Sequence, residues 1–234
     1  MKRSHFVILL VVLILVLDQW LKIWVKTNMA YGEEFTLLGL NWARIHFVEN
    51  EGMAFGLKLG GDYGKLILSV FRIVVVSFLI YFIGQLIKEK MSFGLLASVG
   101  AIMAGALGNI LDSMFYGLIF SESDPFHGKV AELFPADGGY ASFLHGKVVD
   151  MFYFPMFKGV FPDWLPLWGG ESFLFFRPVF NIADAAISVG VVSIILFHRH
   201  IFRPEEDKPA PAVQVATSDI EDGNETVQID KEVS

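Results

Sequence analysis

The chain has 234 residues, of which 54% are hydrophobic and 15% aromatic, and its mean hydropathy is +0.53. Soluble domains contain roughly 45–50% apolar residues. The excess here is collected in long runs, which predicts a membrane protein instead of a large soluble core. The absence of cysteine excludes disulfides, thiolate metal sites and a cysteine nucleophile.

The net charge of −7 comes from one end of the chain. Residues 204–234 contain nine acidic residues and two lysines, whereas residues 1–203 contain sixteen acidic and sixteen basic residues. A segment with so few large apolar side chains cannot bury enough surface to fold. We therefore expect residues 204–234 to be a disordered acidic tail, and we expect no nucleic-acid partner.

Four apolar runs are long enough to cross a membrane, since about 20 helical residues span about 30 Å. They predict spans at about residues 6–26, 65–87, 93–113 and 178–198 of a membrane domain that covers residues 1–203. The third run is rich in small residues, which allow close helix packing in lipid. Arg72 lies one to two turns inside the second run, which predicts that its side chain snorkels to the interface.

Lysine and arginine in short loops mark the cytoplasmic side of a membrane protein. With four spans, the basic residues Lys2, Arg3, Lys88, Lys90, Arg199 and Arg203 all fall on one side. We therefore expect both termini in the cytoplasm and the loops 27–64 and 114–177 outside.

Polar residues interrupt the spans in three pairs, which are Asp18 with Lys22, Asn109 with Asp112, and Asn181 with Asp184. Spacings of three or four put both members of a pair on one helix face. In the predicted topology every pair lies at the outer end of its span, near Asn50 and Asp150 of the outer loops. Ionisable groups in a span are costly, so this convergence predicts an active or binding site at the outer leaflet. The alternative for Asp184 is an acid that only caps a helix start.

Two nearby carboxylates share a proton, so one can act as general base on a water molecule and the other as general acid. Asp184 is the first candidate. Asp150 is the second, because the predicted strand 147–154 can reach the helix start from above the membrane. Asp112 is the competing partner, or it orients the others together with Asn109. This chemistry needs no metal, and no metal or cofactor is expected. A zinc protease is disfavoured because His-Glu-x-x-His does not occur, and a serine hydrolase is disfavoured because Gly-x-Ser-x-Gly does not occur.

Five motifs together resemble those of the lipoprotein signal peptidases, also called signal peptidase II. They are Asp18-Gln19 with Lys22, Asn50-Glu51-Gly52-Met53-Ala54-Phe55, Gly105 through Asn109 to Asp112, Val148-Val149-Asp150, and Phe180-Asn181-Ile182-Ala183-Asp184. Each is weak alone, but five in order on a chain with four spans are specific. The resemblance covers roughly residues 6–116, 146–154 and 176–200.

The resemblance implies a mainly α membrane protein with four transmembrane helices and a small extracytoplasmic β-sheet cradle, which fits the segments around 35–57 and 147–154. It implies an aspartic endopeptidase of the bacterial inner membrane, inhibited by globomycin. Such an enzyme removes the signal peptide of a prolipoprotein by cutting before a diacylglyceryl-modified cysteine. The implied catalytic residues are Asp150 and Asp184. The implied supporting residues are Asp18, Lys22, Asn50, Gly52, Asn109, Asp112, Asn181 and Ala183. Separately from the resemblance, we expect a monomer.

The chain departs from the family pattern at two places. The family's third-helix motif ends in Asp-Arg, whereas Asp112 is followed here by Ser113. We hypothesise that Lys147 or Arg177 supplies the missing cation. In addition, 38 positions separate Asp112 from Asp150, because an insertion occupies residues 117–146 of the outer loop. A lid, a partner site and neutral decoration are all compatible with this insertion.

Two other classes of function remain open at this point. One is a proton- or ion-coupled transporter subunit that uses Asp18, Asp112 and Asp184 as a relay. The other is a non-catalytic membrane protein that binds lipid or peptide in the same cleft. The clustering of the acids at one membrane face and the lack of a visible repeat argue against the transporter.

Overall fold

The computed structural model describes residues 2–51, 62–164, 166, 168–175 and 178–199. The main helices are α1 (Arg3–Asn28), α2 (Asp62–Lys88), α3 (Phe93–Leu111) and α5 (Ile182–Phe197). Helix α3 continues into a π-helical turn (Asp112–Tyr116) and the short helix α4 (Gly117–Ile119). The predicted acidic tail, residues 204–234, lies outside the described residues.

Three of these helices are long and apolar enough to cross a membrane, namely Arg3–Asn28, Gly64–Lys88 and Phe93–Ile119. Their outward side chains are large and apolar, with Leu13 53% exposed and Phe71 61% exposed. Contiguous apolar surface of this kind is rare on soluble proteins and is stable against lipid. The predicted mainly helical membrane fold is therefore confirmed.

The fourth apolar helix, α5, is shorter than the predicted span. It has 16 residues, which corresponds to about 24 Å, and it begins four residues after the predicted start at residue 178. The residues before it form strand β6 (Val179–Phe180), and Asn181 is the N-cap of the helix. Hydropathy alone does not separate these residues from the helix, because an apolar strand and an apolar helix have the same average hydropathy.

A small antiparallel sheet of four strands packs near the C-terminal end of α1. Its order is β1 (Glu34–Leu37), β2 (Leu40–Asn50), β3 (Val148–Tyr153) and β6. In the β2–β3 pair, Val48 is opposite Asp150 and Asn50 is opposite Val148. These strands match the segments expected for the β-sheet cradle. A separate hairpin of β4 (Phe157–Val160) and β5 (Ser172–Phe175) was not predicted.

A hydrophobic core joins the sheet to the end of α1 and to the start of the insertion. Its fully buried members include Val25 of α1, Phe47 of β2, Phe120 after α4 and Val149 of β3. Full burial of one such side chain stabilises the fold by about 1.5–3 kcal/mol. The core therefore fixes β3, and with it Asp150, against the C-terminal end of α1.

Helices α3 and α5 approach each other closely through glycine. A Cβ atom at Gly105 would lie 2.2 Å from the backbone oxygen of Ala183, and one at Gly190 would lie 2.5 Å from the backbone oxygen of Ser98. A side chain at either position would push the helices apart. The predicted close packing of the third span therefore brings the first turn of α5 against α3.

The insertion, residues 117–146, is attached to the rest of the molecule by buried contacts. The Lys26 ammonium forms a buried ion pair with Glu49 of β2 and donates to the Ser123 Oγ at 2.8 Å. It also lies 5.2 Å from the ring centroid of Tyr140. Since β2 carries Asn50 at its end, the insertion packs against the strand that leads into the candidate site.

Candidate active site

The start of α5 is built as a capping box around two predicted site residues. The Asn181 Oδ1 accepts from the backbone N–H of Asp184 at 2.9 Å, and the Asp184 carboxylate accepts from the backbone N–H of Asn181 at 3.4 Å. Such reciprocal bonds satisfy N–H groups that have no partner within the helix. Asp184 therefore does cap a helix start, and its second carboxylate oxygen is bound elsewhere in the site.

Asp150 lies on β3 with only 4% of its surface exposed. One of its oxygens accepts from the Asn181 Nδ2 at 2.7 Å, and the other accepts from the Asn50 side-chain amide. Burial, followed by the negative charge of Asp184, raises the pKa of Asp150 to about 8. Lys22 and the hydrogen bond from Asn181 oppose this rise. At neutral pH the Asp150 carboxyl is therefore mainly protonated.

Two asparagines connect the carboxyl groups of Asp150 and Asp184. The Asn109 Nδ2 donates to the Asp184 Oδ1 at 2.8 Å, and the Asn109 Oδ1 accepts from the Asn181 Nδ2 at 3.1 Å. The same Asn181 amide donates to Asp150. Residues from α3, α5 and β3 thus form one continuous network, and the two carboxyl groups interact electrostatically within it.

A buried cation, the Lys22 ammonium, is bound to the Asn109 end of this network. The Lys22 ammonium lies 2.9 Å from the Asp18 Oδ2, 2.8 Å from the Asp112 Oδ2 and 2.9 Å from the Asn109 Oδ1. An ammonium has three N–H donors, and all three are used here. The other Asp18 oxygen accepts from the backbone N–H of Ala183 at 2.9 Å, so α1 also caps the first turn of α5.

Asp112 begins the π-helical turn, and its side chain connects three elements. Its Oδ1 accepts from the Gln19 Nε2 of α1 at 2.8 Å, and its Oδ2 accepts from the backbone N–H of Val149 at 3.4 Å. The Lys22 ammonium completes its surroundings. π-Helical turns are often found at functional sites, and this one joins α3 to the strand that carries Asp150.

The structure brings together nine of the ten predicted site residues. They are Asp18, Lys22, Asn50, Asn109, Asp112, Asp150, Asn181, Ala183 and Asp184. The tenth, Gly52, lies outside the described residues. Ala183 contributes its backbone N–H and a small side chain instead of a functional group.

Among the described residues, two further polar side chains reach the site that were not among the predicted site residues, although Gln19 belongs to the first family motif. Gln19 donates to Asp18 and Asp112 and accepts from the Tyr116 hydroxyl at 3.2 Å. The Arg72 guanidinium of α2 lies 3.4 Å from the Ser113 Oγ, although snorkelling to the interface was predicted. The usable signal in both cases was a polar residue inside an apolar span.

The two residues proposed to replace the family arginine do not show that role in the described structure. The Lys147 ammonium pairs with Glu122 at 3.1 Å and lies 5.5 Å from the ring centroid of Tyr140. These contacts are on the insertion and not on Asp112. Arg177 lies outside the described residues.

Comparison with known proteins gives a consistent result. Residues 10–200 match the family model described as Signal peptidase (SPase) II. A lipoprotein signal peptidase of Porphyromonas gingivalis (strain ATCC 33277) is 53% identical over 195 residues, which cover 83% of this chain and 83% of the relative. One from Amoebophilus asiaticus (strain 5a2) is 40% identical over 190 residues, which cover 80% of this chain and 75% of the relative.

A solved structure of a bacterial membrane enzyme, obtained by the in meso method at 2.3 Å, has a TM-score of 0.55 and 22% identity, and the match covers 88% of this chain and 94% of the solved one. At that identity it supports the fold alone. The family match confirms the predicted aspartic endopeptidase class over the transporter and the inert binding protein. The chain therefore belongs to the signal peptidase II family.

Proposed function

We propose that Asp150 and Asp184 are the catalytic pair that cleaves a diacylglyceryl-modified prolipoprotein just before its lipidated cysteine. The observation that carries this proposal is the network around Asn181, which hydrogen-bonds to both aspartates. The network lies where β3 meets the first turn of α5. A lipidated substrate in the outer leaflet would present its cleavage bond at this level of the membrane.

The environment of the two acids supports different roles for them in this proposal. Burial and the neighbouring charge keep the proton on Asp150, since its pKa is about 8. Two coupled carboxyl groups that carry one proton between them leave the second as a carboxylate. We therefore assign general-acid catalysis to Asp150 and general-base catalysis to Asp184.

The proposed hydrolysis proceeds in two proton-balanced steps. Asp184 removes a proton from water while the water oxygen attacks the scissile carbonyl carbon, and Asp150 donates its proton to the carbonyl oxygen. Asp184 then returns its proton to the leaving nitrogen as the C–N bond breaks, and Asp150 recovers a proton from the tetrahedral hydroxyl group. Both acids regain their starting states.

The remaining residues of the network are proposed to orient this pair. Asn50 and Asn181 hold the Asp150 carboxyl group, and Asn109 holds Asp184. Lys22 holds Asn109 and links it to Asp18 and Asp112. Gly52 is retained as a supporting residue from the family motif alone.

The substrate class is tested by cleavage of one synthetic prolipoprotein with and without the diacylglyceryl group on its cysteine. We expect the purified enzyme to release the signal peptide only from the lipidated form, with the new N-terminus at the cysteine when the products are analysed by mass spectrometry. A globomycin-type cyclic peptide is expected to stop this release. Equal cleavage of both substrates would contradict the proposed specificity, and no cleavage of either would contradict the function.

We further propose a monomer in the bacterial inner membrane, with cytoplasmic termini and the site at the outer leaflet. The natural chain has no cysteine, so single cysteine variants report topology without background. A membrane-impermeant thiol reagent added to spheroplasts is expected to label Lys129→Cys, in the insertion, and not Glu89→Cys, between α2 and α3. Labelling of Glu89→Cys before lysis would reverse the proposed orientation.

A further inference from the structure

Arg72 is a charged residue in a helix whose neighbouring side chains are apolar and exposed. Phe71 is 61% exposed and Val74 is 61% exposed, whereas Arg72 is half-buried. Its guanidinium lies 3.4 Å from the hydroxyl of Ser113, a residue that is 2% exposed in the π-helical turn. A guanidinium at membrane depth is costly unless negative charge compensates it. The carboxyl groups near Ser113 are the candidates for that compensation.

Three carboxyl groups of the active site attract the Arg72 charge. Asp184 contributes the largest attraction, followed by Asp112 and then Asp150. Through Arg72, α2 also takes part electrostatically in the site, to which α1, α3, β2, β3 and α5 contribute the residues described above.

Among the described residues, a second cation of the site, Lys22, already has its donors engaged. The Lys22 ammonium uses its three N–H donors on Asp18, Asp112 and Asn109, and it reaches Asp184 only through the Asn109 amide. The Asp184 carboxylate accepts from the Asn109 Nδ2 and from the backbone N–H of Asn181, and the Arg72 guanidinium attracts it from the α2 side.

We infer that Arg72 is a positioning residue that keeps the negative charge on Asp184, and that it thereby assigns the base role to Asp184 and the acid role to Asp150. This inference rests on the proposed catalytic pair. The charged and titratable groups that surround the pair are Asp18 and Lys22 on α1, Arg72 on α2, Asp112 after α3 and Tyr116 in the π-helical turn.

Loss of the Arg72 charge has a defined effect on the pH profile of kcat/KM. Without the guanidinium, the base takes up a proton at higher pH, because its charged form has lost a favourable partner. In Arg72→Gln we expect the acid limb of the profile to move to higher pH than in the wild type. A side chain with a purely structural role would lower the rate at every pH and leave the limb in place.

The experiment compares the wild type, Arg72→Gln, Arg72→Lys and the double variant Arg72→Ala/Ser113→Arg over pH 5 to 9, with the lipidated prolipoprotein as substrate. Arg72→Lys keeps a charge on α2, and the double variant returns a guanidinium from the residue that Arg72 contacts. We expect both to have acid limbs nearer to the wild type than that of Arg72→Gln. Lys88→Gln, which removes an exposed charge from the last turn of the same helix, is the matched control and is expected to behave as the wild type.

Two outcomes would overturn the inference. One is a folded Arg72→Gln variant with the acid limb of the wild type. The other applies if Arg72→Gln does not fold. In that case the acid limb of Arg72→Ala/Ser113→Arg is compared with that of Arg72→Ala/Ser113→Gln, and equal displacement of the two limbs from the wild type overturns the inference. Asp184→Asn in the same assay tests the proposed catalytic pair independently of the role of Arg72. If it cleaves normally the pair is wrong, and if it is inactive while Arg72→Gln has an unmoved limb, only the role of Arg72 is wrong.

Discussion

Asp150→Asn and Asp184→Asn are each expected to lower kcat/KM by about 10³- to 10⁴-fold, which is the contribution of a positioned general acid or base. Asparagine keeps the shape of the side chain and removes the ability to exchange a proton. The measurement is the initial rate of signal-peptide release from the lipidated prolipoprotein in detergent. Asp137→Asn, a change at an exposed acid of the insertion, is the matched control and is expected to retain full activity.

The same pair of variants distinguishes the proposed second acid from its competitor. If Asp150→Asn retains activity while Asp184→Asn loses it, Asp150 is not the partner, and Asp112 becomes the next candidate. Both variants must be shown to be folded, since a lost hydrogen bond within the network also lowers stability. Thermal melting at several pH values supplies that check and adds a second prediction for Asp150.

The raised pKa of Asp150 predicts the direction of this pH effect on stability. The folded protein holds a proton on Asp150 up to a pKa of about 8, whereas the ordinary value is 3.8. Between these values the folded state binds more protons than the unfolded state, so wild-type stability falls as the pH rises. Asp150→Asn lacks this penalty. The melting temperature of Asp150→Asn minus that of the wild type is therefore expected to increase by several degrees as the pH rises from 4 to 8. A constant difference across that range would contradict the assigned protonation.

Lys22→Met is expected to be the most destabilising single change in the site. Lys22 is 0% exposed, and its partners Asp18 and Asp112 are 1% and 0% exposed. Removal of the cation leaves two buried acids without compensation, which costs about 3–5 kcal/mol. In a protein of this size that corresponds to a fall in melting temperature of roughly 6–20 °C.

The control for this prediction is an ion pair of the same residue types at the surface. Lys147 and Glu122 pair at 3.1 Å, with side chains 29% and 66% exposed, and such pairs contribute about 0–1 kcal/mol. Lys147→Met should therefore melt within a few degrees of the wild type. The triple variant Asp18→Asn/Lys22→Met/Asp112→Asn, which removes all three charges, should melt above Lys22→Met. A single Lys22→Met variant that melts with the wild type would show that the buried ion pairs do not stabilise the fold.

Much of the fold and of the site could be predicted because the signals are local. The first span was predicted at residues 6–26 and the helix covers Arg3–Asn28, since an apolar run of that length is stable only in lipid. The candidate acids were recognised by the cost of an ionisable group in such a run. The spacing of Asn181 and Asp184 also contains the signal for a helix start, because an N-cap asparagine and an acid three residues later form the capping box.

Other features had no local signal. The strand character of Val179–Phe180 depends on pairing with β3. The sequence of an apolar dipeptide before an apolar helix carries no signal for that pairing. The hairpin of β4 and β5 similarly depends on pairing between segments separated by the residues 161–171. Strand formation needs hydrogen bonds from another segment, whereas a helix satisfies its own backbone.

The amino-acid sequence was sufficient to recognise the family, the apolar helices and the candidate acids, because apolar transfer energy and motif spacing belong to each segment alone. The tertiary structure decided which groups face one another. It placed Asp18 on the backbone N–H of Ala183, 165 positions away, and it directed Lys147 to Glu122 and Arg72 to Ser113. A charge acts on a carboxyl group according to distance and burial, and those quantities exist only once distant segments have packed together.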